Sequence, residues 1–131
     1  MKDILLDQFQ ETVDETLIRH RSVLDIMSKS PEANARINRA ISKAITTCGC
    51  ININASKQCI PLDISLQELR DHMDPHMRGE LCEHCKEIVE AELGSQLFYL
   101  AALCNVLGLN LYDVLLKEQK KLSALGIFNF T

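Results

Sequence analysis

The sequence predicts an all-α fold: four long or medium helices in an antiparallel bundle, plus one short crossover helix. Three observations predict it. Apolar residues recur at helical spacing from Leu5 to Met27, Ser30-Pro31-Glu32 spells a helix start, and a long run from Glu80 to Leu107 closes at Gly108. At 131 residues the chain has the length of one domain, 1–131, within which 48–85 forms a crossover region carrying a cysteine knuckle.

The first helix sets Leu6, Phe9, Val13, Leu17 and Met27 on one stripe, with Asp7, Glu11, Asp14 and Glu15 on other faces and Arg19 and Arg21 nearer its end. Glu11 and Glu15 read as a solvated face, and His20 as a packed or boundary histidine. In the second helix, from Pro31 to about Thr47, Ile37, Ile41, Ala44 and Ile45 are the core residues. Arg36, Arg39 and Lys43 share another face, which reads as solubilising before it reads as phosphate-binding.

Ile51 to Asn54 alternates like a short extended piece, and Ser65-x-x-Glu68 is a capping box for a third helix from Leu66 to Met73, stopped by Asp74-Pro75. On the fourth helix Cys82, Val89, Leu93, Leu97, Leu100, Cys104 and Leu107 share one face, and its later half is apolar nearly all round. A helix of that kind is buried in a bundle or in an oligomer interface, and the reading here is a homodimer. Gly108 closes it, Asn110 caps a last helix from Leu111 to Leu125, and the short turn predicts antiparallel packing of the two. Leu111, Val114, Leu115, Leu122 and Leu125 mark its inner side, Glu118 an edge, and the apolar tail Gly126 to Phe130 docks on the bundle or on a partner subunit.

Composition narrows the function. Apolar residues make up 47% and charged residues 24%, the balance of an ordered globular chain. A net charge of -4 and the absence of Trp leave neither a basic field for phosphate backbones nor many stacking platforms, so no nucleic acid partner is expected. The start, Met1 to Asp7, has no apolar core of signal-peptide length and no later run reaches a membrane span, which predicts a cytoplasmic protein with no membrane partner. In a reducing compartment six cysteines point to metal thiolates or buried thiols rather than disulfides.

Cys48-x-Cys50 and Cys82-x-x-Cys85 are the strongest local signal. Zinc takes four soft or borderline ligands in a tetrahedron, and two close-spaced thiolate pairs from separate segments supply them. Four thiolates leave no open coordination position, so the expected role is structural. Cys59, His72, His76 and His84 are the spare ligands, Cys104 is a core residue, and the competing readings of the four are buried free thiols or a thiol redox switch.

The run from Glu92-Leu93-Gly94-Ser95 through Leu103, with Leu107-Gly108-Leu109-Asn110-Leu111 and the basic residues Lys117 to Lys121, resembles the second half of MazG-type nucleotide pyrophosphohydrolases over roughly residues 87 to 121. The resemblance implies an all-α oligomer that cleaves nucleoside triphosphates with Mg²⁺ held by carboxylates of two helices. Glu92 matches the Glu of the later motif, Ser95 stands where its Asp belongs, and the second helix has no acid after Glu32. The sequence therefore predicts a binding or regulatory relative with incomplete Mg-binding acids. Its alternative is an active enzyme in which Glu83, Glu87 and Glu90, with Glu11 and Glu15, form a displaced pocket; Glu87, Glu90 and Glu92 are then the catalytic candidates, Mg²⁺ the cofactor and a nucleotide the ligand.

Overall fold

A computed structural model describes residues 4–126 of the chain. The described elements are α1 (Leu5–Thr16), α2 (Val23–Lys43) running into a π-helical turn (Ala44–Cys48), β1 (Ile51–Ile53), α3 (Leu66–His72), β2 (Met77–Gly79), α4 (Glu83–Leu107) and α5 (Leu111–Leu125). The fold is all-α but for one small antiparallel pair, in which Ile51 faces Gly79, Asn52 faces Arg78 and Ile53 faces Met77. No single helix among the described residues is long and apolar enough to cross a membrane.

The main packing unit is α2 against α4. The two run antiparallel: Ser30 lies opposite Gln96, whose amide donates to its hydroxyl, and Arg36 lies opposite Glu92. Ala33 and Ala40 are buried on α2 and Ala44 at the start of the turn that follows, and side chains that small let the backbones come close. At the far end of α4, Ala101 and Ala102 form a buried cluster with Val13 of α1 and Ile26 of α2, covered by Phe9, Leu17, Phe98, Leu103 and Leu111.

Four expectations need correction. The first helix does not continue to Met27: α1 stops at Thr16, Leu17 turns extended, His20 takes a positive φ of 58°, and α2 starts at Val23. Arg21 closes the break by donating to the carbonyls of Asp14 and Leu17 and pairing with the Asp14 carboxylate at 2.6 Å. Ser22 is the true cap, its hydroxyl accepting the Leu24 N–H at 3.2 Å. The apolar period hides this break because the stripes of both helices face one core.

Ser30-Pro31-Glu32, in turn, starts nothing, for α2 runs straight through it. Pro31 is exposed, and Glu32 pairs with Lys29 and Arg36. The core face of α4 also differs. Cys85, Val89, Ala101 and Ala102 are buried, whereas Leu93, Leu97, Leu100 and Leu107 of the expected face are exposed; Cys104 is half-buried and Ile41 on α2 is 37% exposed.

Finally, α5 does not fold back along α4. The chain bends by 106° between them and α5 lies against α1 instead, with Leu111 and Leu122 half-buried and Val114, Leu115 and Leu125 exposed. The caps at this corner are as expected: Gly108 takes a positive φ of 73° and Asn110 accepts the Asp113 N–H at 2.9 Å. The direction is set by Gln10, which is buried on α1. Its side-chain amide donates to the Leu109 carbonyl at 2.8 Å and accepts the Leu111 N–H at 2.7 Å, and its own carbonyl accepts from Asn105 at 3.0 Å. Gln10→Leu would leave two corner backbone groups without these partners, so a loss of about 2 to 4 kcal/mol is expected by urea unfolding. A change under about 0.5 kcal/mol would mean the corner holds itself.

The expected tail interaction of Gly126 to Phe130 falls largely on residues 127–131, outside those described.

Candidate metal centre

The two cysteine pairs meet because the β-pair forces them to. Gly49, at a φ of 82°, ends the π-helical turn, its N–H bonding the Ala44 carbonyl, and so presents Cys48 and Cys50 from a sharp bend. The chain then enters β1. β2 brings it back alongside, and three residues beyond Gly79 stands Cys82, the N-cap of α4. The Cys82 sulfur accepts the Cys85 N–H at 3.5 Å, where a Ser, Thr, Asp or Asn cap usually sits.

All four Sγ atoms, of Cys48, Cys50, Cys82 and Cys85, lie within 4.8 Å of one another. The Sγ atoms of Cys48 and Cys82 are 3.8 Å apart. A tetrahedral ion with Zn–S bonds of about 2.3 Å requires S···S edges of about 3.8 Å, so the Cys48–Cys82 separation is that of a ZnS₄ edge and too open for a disulfide at about 2.05 Å. Beneath it Ala44, Ile51 and Cys85 are buried, with Ile45, Cys50, Leu81 and Cys82 packed around them. Cys48 is exposed at the outer edge.

Crowding splits the acidities of Cys82 and Cys85. The Cys85 N–H and the neighbouring thiols bring Cys82 down to about 7 from 9.0, while the Cys82 sulfur and burial push Cys85 up to about 12.

The returning strand is held by a knot in the crossover. The Gln58 side chain both accepts the Asp74 N–H and donates to the Asp74 carbonyl, each at 2.8 Å, and meets His76 Nε2 at 3.2 Å. Asp74 accepts the His76 N–H and two guanidinium bonds from Arg78 at 3.0 and 2.9 Å, which hold its carboxyl well below the usual carboxylate range. α3 stands as expected, Ser65 accepting the Glu68 N–H at 3.2 Å. The sequence reading missed β2, and with it Gln58 and Gly79, although Asp74 four places before Arg78 is a visible pairing signal.

Among the described residues the four cysteines are the group of metal-ligating side chains that gathers in one place. Of the spare ligands, His76 belongs to the Gln58 knot, Cys59 points at the Lys57 carbonyl, and exposed His84 lines a cavity beside Cys85. Glu83, Glu87 and Glu90 are exposed on the first half of α4, and Glu11 and Glu15 are exposed on α1. Glu92, half-buried, accepts Arg36 Nε at 3.0 Å, and the same guanidinium reaches Glu32 at 3.1 Å.

Fold and site together define a small helical protein whose four-cysteine cluster is compatible with a metal ion. Compared with protein-family models, curated proteins and solved structures, the chain matches none.

Proposed function

We propose that the chain is a non-catalytic helical binding module clasped by one structural zinc ion, a binding or regulatory relative of the MazG-type pyrophosphohydrolases. The observation that carries the metal is the gathering of four Sγ atoms within 4.8 Å by two elements joined through a strand pair. Four thiolates close the coordination shell, so the ion stiffens the join between the α2 end and the α4 start rather than activating water. The family part of the reading rests on the run from Glu92 to Lys121. A binding role in place of hydrolysis is supported at Glu92, whose carboxylate is already matched by the Arg36 guanidinium, and at Ser95, which offers no carboxylate to Mg²⁺.

Metal analysis tests it. Protein purified without added metal should hold one zinc per chain, with the thiols of Cys48, Cys50, Cys82 and Cys85 reacting with a thiol reagent only after chelation. Metal-free protein with these four thiols free or joined as disulfides would overturn the reading in favour of buried thiols or a redox switch. With Mg²⁺ and a panel of nucleoside triphosphates the chain should release no pyrophosphate; release lost in Glu87→Gln or Glu92→Gln would make it an enzyme.

A further inference from the structure

From the surface the chain leaves uncovered, we infer that its α1–α4–α5 face is the seam of a homodimer, occupied by the same face of a second copy. The accessible surface is 9945 Å². A folded monomer of 14.8 kDa exposes about 7,000 Å² by the usual scaling of surface with mass. The excess is about 3,000 Å², more than the residues outside 4–126 can carry at the roughly 160 Å² per residue of an unfolded chain. A standard interface hides about 800 Å² on each partner, and obligate homodimers hide more.

Part of the excess lies on the crossover, where most of residues 52–80 are exposed, and part where helices should be covered. α5 has no buried residue, and on α4 Leu93, Leu97 and Leu100 form an exposed row at spacings of four and three. Beside Leu97 the bend between α4 and α5 opens a groove of about 440 Å³ lined by Leu5, Leu6, Phe9, Leu97, Tyr112 and Leu115. No charged side chain lines it. An uncharged, continuous apolar surface has the composition of a homodimer seam, whereas the surfaces of partners that also live apart are more polar. Row and groove adjoin each other, so a twofold axis near Leu97 sets the row of each copy against the groove of the other, the self-complementary arrangement that closes a dimer.

The inference is independent of the metal, and its test reads mass. Light scattering coupled to gel filtration across the micromolar range should give twice the chain mass for the wild type. Leu97→Glu places a charge on a side chain that is 51% exposed in the single chain and should give one chain mass, with helical circular dichroism and zinc content unchanged. Leu62→Glu, at a position 98% exposed in the crossover, should keep the double mass. A wild type of single-chain mass would overturn the inference. If removing residues 127–131 from that monomer then raised its binding of a hydrophobic dye, the tail would be the occupant; if the monomer bound phosphatidylcholine vesicles, lipid would be. An unchanged double mass in Leu97→Glu would place the seam elsewhere and overturn it too.

Discussion

Cys85→Ser is expected to abolish zinc binding and to remove about 4 kcal/mol or more from the stability of the metal-loaded protein. An ion that binds only the native state stabilises it by RT ln(1 + [L]/Kd), which is about 4 kcal/mol when free zinc stands a thousandfold above Kd. Cys85 is the buried ligand of the four and belongs to the small core with Ala44 and Ile51, so its loss leaves three thiolates and a hydroxyl facing an apolar floor. The helical core built on Val13, Ile26, Ala101 and Ala102 lies at the other end of α4 and should survive, so helical circular dichroism should fall only partly. The decisive comparison is with chelator. Wild type treated with chelator should melt near the temperature of untreated Cys85→Ser, and chelator should do nothing further to the variant. Equal melting of loaded and chelated wild type would show that the cluster adds no stability through a metal.

The sequence carried the local chemistry of this site better than its geometry. Cys48, Cys50, Cys82 and Cys85 were legible as a group because ligand spacing is a short-range property, and the caps at Ser65, Gly108 and Asn110 were legible for the same reason. What failed was anything decided by a distant partner. Ser30-Pro31-Glu32 has every feature of a helix start, yet α2 has already begun at Val23, capped by Ser22, and packing against α4 carries the helix through the proline. The 106° turn of α5 follows from Gln10, about a hundred residues away in sequence, bonding both sides of the Leu109–Leu111 corner. The exposed row on α4 reads from sequence as bundle core or as an oligomer interface, because a helix apolar nearly all round gives no period to choose by. Small residues, Ala101 and Ala102, won the interior by allowing close approach, and the larger leucines were left outside. No local signal shows that Glu92 would meet Arg36 of another helix.

Gly79→Ala should be nearly as damaging as losing a ligand, although Gly79 binds nothing. Its φ of 90° lies where a side chain costs about 1 to 2 kcal/mol, and a Cβ built there would stand 2.4 Å from the Cys50 carbonyl oxygen, inside any permitted contact. The obstacle is backbone, which cannot swing aside as a side chain would. Relief requires β2 to move off β1, and the pairing of Ile51 with Gly79 is what sets Cys50 beside the approach to Cys82. We therefore expect a stability loss of at least about 3 kcal/mol together with a zinc affinity lower by tenfold or more. Gly49→Ala separates the two causes. Gly49 has a similar φ of 82° but nothing within 4 Å of its virtual Cβ, so that variant should show the conformational cost alone, about 1 to 2 kcal/mol. Denaturant unfolding and competition with a chromophoric chelator measure both quantities. If the two alanine variants behaved alike, the close approach of Gly79 to Cys50 would not be what holds the cysteine pairs together.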